Sequence, residues 1–335
     1  MSFEELSAHA QEIVEKAMEW DLERMGYMKV GDNEWMPRSS YGGRAGQYPG
    51  YGGSTMTQSE VDADMAEVSG RYDDVPGLFD AFSSLPDPAS FDAGIDDLTA
   101  ALGKLSQGSG GEDPTNGSPT PANTILDGMD TSQDYLARWT GIAAAQFKEN
   151  FVDTFESITT NQFLLTSYIK GALEAEKSLW DAARRNIDEI AEDTITALEE
   201  MGDCGKNEWS MAFSVAGAVV ALVAVPFTAG GSLVAAATFA GVGGALSIGG
   251  AAVGNMEDAP ELDMSGESPE AVIGNMREAI TKLKDEISKA EQKIADKMTE
   301  LQGIVDGHRE LFVAPRPNLA DSVPGDIRED MGVPR

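Results

Sequence analysis

Residues 142–201 read IAAAQFKENFVDTFESITTNQFLLTSYIKGALEAEKSLWDAARRNIDEIAEDTITALEEM, and this stretch decides the fold. Phe147, Phe151, Phe155, Ile158, Leu165, Ile169, Leu173, Trp180, Ile187, Ile190 and Leu198 recur at steps compatible with one apolar helix stripe. No proline interrupts them, so the spacing predicts a single helix that at ~1.5 Å per residue reaches on the order of 90 Å. Gly202 and Gly205 follow, and glycine is the usual residue just past a helix end.

A second long helix begins at Ser268-Pro269-Glu270, where a capping serine, a proline at the first helical position and an early acid coincide. Ile273, Met276, Ile280, Leu283, Ile287, Ala290 and Ile294 then alternate by three and four, the spacing of a coiled-coil seam. The step to Met298 repeats the four, a stutter, before Leu301 and Val305 resume the stripe. The pattern of the two helices predicts an all-α protein, an elongated antiparallel helical bundle. Residues 269–312 form its coiled-coil part, and 313–335, with four prolines, a disordered tail.

Towards the N-terminus, Phe3, Leu6, Ala10, Ile13, Ala17 and Trp20 mark a short amphipathic helix, followed by a small hairpin around Gly31-Asp32 within a first region, 1–38. The Gly/Tyr-rich stretch after it is too poor in aliphatics to bury itself, so 39–70 reads as a mostly disordered linker. A helical region, 71–201, comes next. It opens with short helices near 76–84 and 89–106, the second carrying Phe91, Ile95, Leu98, Ala101, Leu102 and Leu105. GSGGEDPTNGSPTPAN then forms a loop, and helix resumes over about 124–138.

From Trp209 to Met256 there is no charged residue, and Gly, Ala and Val dominate. Pro226 and Gly230-Gly231 divide the stretch into halves near the ~20 residues that cross a ~30 Å hydrocarbon core. The expectation is an apolar helical hairpin within 202–268, turning at Pro226, Gly230 and Gly231, with small-xxx-small spacings suited to close packing in lipid. Two readings stay open: a hairpin that inserts in a membrane, and one permanently buried in a soluble interaction or scaffold protein. Two long helices flanking an apolar hairpin resemble, in layout alone, the α-pore-forming toxins.

The formal charge is −33, from 24 basic against 57 acidic residues, which excludes nucleic acid as a partner. The lone Cys204 cannot form an intramolecular disulfide, and His9 and His308 have no second ligand at metal spacing. No metal, cofactor or small-molecule substrate is indicated. GxxxxGK[ST], GxSxG, HExxH and CxxC are all absent, so the chain reads as a non-enzyme. The N-terminus lacks the basic-then-apolar pattern of a Sec signal.

One motif carries a family resemblance. Trp139-Thr140-Gly141-Ile142-Ala143-Ala144-Ala145-Gln146-Phe147, with helical flanks, resembles the signature of the WXG100 proteins of type VII (ESX) secretion. That resemblance implies a turn at Trp139 and Gly141 joining two antiparallel helices, with Ala143 and Ala144 permitting close approach and Trp139 and Phe147 buried. It implies helical protein partners or self-association, and a secreted or envelope-associated protein that is cytoplasmic before export. The family's Tyr-x-x-x-Asp/Glu signal is not found: Tyr168, the one tyrosine beyond Gly141, has Ala172 four residues on.

Overall fold

The computed structural model describes residues 3–31, 34–38, 57–108, 110–115, 117–126, 128–129, 139–201, 210–212, 222–229, 232–240, 261–263 and 266–314. Helix dominates these residues, with a few short strands. The helices are α1 Leu6–Arg24, α2 Gln58–Gly70, α3 Val75–Asp80, α4 Asp92–Leu105, α5 Ile142–Phe147, α6 Asp153–Glu200 and α7 Pro269–Gly307. A π-helical turn, Lys148–Val152, joins α5 to α6, so the long helix expected from 142 carries one widened turn near its start.

The chain forms two compact units. The first takes Met1–Pro86, Ala182–Val215 and Met256–Ile287. Its core is the expected stripe of α1 (Leu6, Ala10, Ile13, Ala17) together with Ile187, Ile190 and Leu198 of α6 and Ile273, Met276, Ile280 and Leu283 of α7, all buried. Polar ties register the elements: Trp20 Nε1 donates to the Leu198 carbonyl at 2.9 Å, and Tyr72 Oη and Arg71 both donate to Asp21 Oδ2, at 2.8 and 3.0 Å. A ribbon of β1 Tyr27–Gly31 and β2 Glu34–Pro37 sits where the sequence predicts a hairpin.

Within this unit the linker expectation for 39–70 is corrected in part. Thr57 opens α2 with a reciprocal capping box, its backbone N–H donating to Glu60 Oε2 at 2.7 Å while its hydroxyl accepts from the Glu60 N–H at 3.4 Å. Val61 and Val68 are buried, so this low-aliphatic helix anchors itself on two valines. Residues 39–56 lie outside the described residues.

The second unit takes Asp87–Asp181, Ala216–Asn255 and Ser288–Arg335. Leu102 of α4, Ile158, Phe163, Tyr168 and Leu179 of α6, and Leu301 of α7 are buried in it. The stretch expected as a plain loop, 107–123, contains a two-residue ribbon, β3 Gly111–Glu112 with β4 Pro119–Thr120. In 124–138, where helix is expected, the described residues show turns over Thr124–Leu126 and helix at Gly128 and Met129; 127 and 130–138 lie outside them. The region expected as coiled-coil helix, 269–312, ends in a 3-10 turn over Arg309–Leu311, with Leu311 and Phe312 buried; of the tail, 315–335 lie outside the described residues.

The uncharged segment departs most from its sequence reading. Where described it is strand: β6 Leu222–Ala229 pairs antiparallel with β7 Ser232–Ala240, and β5 Ser210–Ala212 with β8 Glu261–Asp263. An apolar helical hairpin is therefore replaced, over 222–240, by a β-hairpin. Val223, Val225, Phe227, Val234, Thr238 and Phe239 supply β-branched and aromatic residues, and the two-residue Gly230-Gly231 connection matches a tight hairpin loop. Pro226 is not at the turn. It pairs with Ala236 inside β6, which a two-stranded ribbon tolerates because each strand has an open edge for a residue without an N–H. Gly230 and Gly231 themselves lie outside the described residues. Among the described residues no helix is long and apolar enough to cross a membrane.

Candidate functional site

The Trp-x-Gly segment begins α5. Gly141, at φ 110° and ψ 173°, is the residue before the first helical turn, a backbone region that is essentially glycine's alone. The sequence motif thus marks the start of a helix. The partner helix that a hairpin requires is expected over 124–138, of which 130–138 lie outside the described residues.

Burial of the aromatics is corrected. Trp139 is 48% exposed and Phe147 37%, and Phe151, expected on the core stripe, is also 37% exposed. Ring centroids run from Trp139 to Phe147 at 5.5 Å, on to Phe151 at 5.2 Å, and to Phe155 at 6.0 Å, a ladder along one face. Three phenylalanines at strict steps of four drift off a 3.6-residue stripe, and the π-turn beneath them turns the neighbouring Val152 inward instead. Ala144 is buried; the side chain of Ala143 lies outside the described residues. Interplanar angles of 48°, 30° and 52° give a rugged apolar surface rather than a flat stacking platform.

Beside the ladder is a groove of about 570 Å3, formed by the end of α4 and its following loop, Leu126 and Met129, and the first turns of α6. Val152, Phe155 and Phe163 supply apolar wall, and Asp153 and Glu156 are its charged lining residues. Gly111 lets the loop close against this wall: a Cβ there would sit 2.7 Å from Phe163 Cζ.

A buried ionic lock holds the same loop. Lys170 Nζ donates to Asp113 Oδ2 at 3.1 Å and to Glu174 Oε1 at 2.6 Å, while Thr115 Oγ1 donates to Asp113 Oδ1 at 2.6 Å. Burial alone would lower the Lys170 pKa, but the Glu174 hydrogen bond and the two carboxylate charges outweigh it, leaving the ammonium above its ordinary range. The sequence reading missed this lock because its partners are 57 residues apart; its only sequence signal is a lysine on the apolar side of a helix.

The seam residues Ile273, Met276, Ile280, Leu283, Ile287 and Ile294 are all buried within the folded chain. His9 is buried with Nδ1 3.5 Å from Asp188 Oδ1, and His308 lies 3.5 Å from Glu310. Among the described residues no group of three His, Cys, Asp or Glu side chains could hold a metal ion; Cys204 lies outside them. Comparison with protein families, curated proteins and solved structures finds no match to this chain.

Proposed function

We propose that the protein is a non-enzymatic effector associated with type VII secretion that engages a membrane through its uncharged segment. The observation that carries this reading is the paired, charge-free ribbon of β6 and β7, within a stretch that holds no ionisable Asp, Glu, Lys, Arg or His from Trp209 to Met256. Strands of 8 and 9 residues, at ~3.4 Å per residue, extend roughly 27–31 Å, close to the ~30 Å hydrocarbon core.

A ribbon of two strands leaves an open edge on each side, and unpaired backbone groups in lipid are expensive. Insertion of this ribbon therefore requires several copies to close a barrel, and the proposal includes oligomerisation. The seam of α7 is an unsuitable route to it without unfolding, because those positions are already buried. The elongated antiparallel bundle expected from the sequence belongs to the same proposal, as the body that carries the ribbon. Export as a secreted or envelope-associated protein, with a cytoplasmic stage first, follows from the WXG100-like motif.

The test is flotation and dye release with the full chain and liposomes, at neutral and acidic pH. Co-flotation, leakage and detergent-resistant oligomers are expected; absence of binding and leakage at both pH values overturns the membrane reading.

One observation favours a second reading, a soluble interaction protein of the secretion machinery. Trp139, Phe147 and Phe151 expose aromatic area to water, which marks a protein-contact surface. If Trp139→Ala with Phe151→Ala leaves vesicle leakage intact but abolishes capture of a helical secretion component, both surfaces serve. If leakage is absent and capture is present, the second reading replaces the first.

A further inference from the structure

We propose that the 3-10 turn Arg309–Leu311 is a latch that holds the β6–β7 ribbon against the body of its own unit, so that the described arrangement is a closed, pre-insertion state. The inference rests on the membrane reading and adds its regulation.

Contact between the two segments carries the first part of the argument. β6 Leu222–Ala229 and the turn belong to the same compact unit, and their Cα atoms approach within 8 Å although all of α7 stands between them in the chain. The turn is itself fastened. Asn161 Nδ2 of α6 donates to the Leu311 carbonyl at 3.0 Å, and Gln162 Nε2 to the Phe312 carbonyl at 2.7 Å. Asn161, Leu311 and Phe312 are buried, while Arg309 and Glu310 are exposed. A strand resting on this turn is therefore tied to α6 through it.

Length, charge and strand pairing make that contact incompatible with insertion. The 8 residues of β6, at ~3.4 Å each, extend roughly 27 Å, so a β6 that crosses the ~30 Å hydrocarbon core is used along its whole length. No part of it is left to rest on the body. A turn that stayed within 8 Å of it would bring Arg309 and Glu310 to the lipid, where ionised side chains are expensive. Among the described residues the sheet of β6 and β7 has two strands, so each outer edge must meet a strand of another copy before it enters lipid. Release from the turn therefore precedes barrel closure. The closed and released states form an equilibrium, and loosening the clamp at residue 162 shifts it towards release.

The test uses the full chain with Cys204→Ser, Glu310→Cys and one further cysteine at each position from 222 to 229 in turn, joined by a short bis-methanethiosulfonate that a reductant cleaves. Dye release from phosphatidylcholine vesicles is the readout. Cross-links are expected between residue 310 and at least one position in β6, with leakage lost in the linked protein and restored by the reductant. Gln162→Ala should leak several-fold faster than the unaltered chain, with helicity by circular dichroism unchanged. Absence of any link from residue 310 to β6, a linked protein that leaks as fast as the reduced one, or a Gln162→Ala variant that leaks no faster would each overturn the latch while leaving the membrane reading in place. If linked, reduced and Gln162→Ala proteins all fail to float or leak, the membrane reading itself falls, and the latch with it.

Discussion

Lys170 Nζ and Asp113 Oδ2 meet at 3.1 Å with side chains only 6% and 2% exposed, so the loop after α4 is tied to α6 by an ion pair almost wholly out of water. Removing one partner strands the other. Lys170→Met should destabilise by about 3–5 kcal/mol, whereas Lys170→Met with Asp113→Leu should cost considerably less, since the buried charge is then gone. Urea titration of the four corners of this cycle measures the difference. Because the folded Lys170 pKa is raised, its contribution is complete below the unfolded lysine value near ~10.4 and is lost as pH rises through the folded one. An alkaline loss of stability that disappears in Lys170→Met is the expected signature.

Gly141 holds φ 110° and, its chain neighbours apart, no described residue comes within 4 Å of the place a Cβ would occupy, so backbone strain is the cost of replacing it that the described residues show. Gly141→Val should destabilise by about 1–3 kcal/mol. Trp139→Ala should cost only about 1 kcal/mol, because the residue is about half exposed and Phe147 is its ring partner among the described residues. Thermal unfolding of both variants ranks them; a larger loss for Trp139→Ala would mean the ring is covered in solution.

The loop also closes on Phe163 through Gly111. Gly111→Ala places a methyl 2.7 Å from the ring edge of a residue that is 7% exposed, and should destabilise the fold by about 1–3 kcal/mol. Phe163→Leu should relieve part of that cost in the double variant while being destabilising alone. Additive losses across the cycle would show that the two residues are not in contact.

Acid should act on this protein in two opposite directions. The Arg277 hydrogen bond and charge hold Asp74 below its ordinary pKa, so that pair stabilises above the unfolded value near ~3.9 and its contribution is lost as pH falls through the folded one. Both side chains are partly exposed, at 33% and 46%, which limits the effect to about 1 kcal/mol or less. Arg277→Met should remove it from the acid limb of the stability profile.

Glu176 and Asp193 behave the other way. Burial first, then Glu291 beside Glu176 and Glu189 and Glu192 beside Asp193, pushes each carboxyl above its ordinary pKa, despite the hydrogen bond Glu176 accepts from Trp180 at 3.1 Å. Their ionised forms cost stability at neutral pH, and that cost is relieved as pH falls through the raised values. Glu176→Gln and Asp193→Asn should each stabilise the chain at pH 7 and stabilise it less near pH 4.5, read as midpoints of urea unfolding at the two pH values.

The two long helices are legible in the sequence because their pattern is local and long. A stripe running from Ile158 to Leu198 without proline has no other element in which to bury itself, and the Ser268-Pro269 start states where the second helix begins. The seam from Ile273 to Ile294 is legible for the same reason. Residues 222–240 are not: Ala, Val and Gly satisfy an apolar helix and a ribbon alike, and the choice rests on whether backbone hydrogen bonds close within the segment or to a partner strand, as between Val225 and Ala237. Nor does a motif say which way an aromatic faces. Trp139 and Phe151 stand in water because no described element covers that face, and Lys170 lies buried because a loop 57 residues away brings Asp113 to it. Local periodicity follows from the order of residues along the chain, whereas burial depends on which distant segments arrive, and only the folded arrangement decides that.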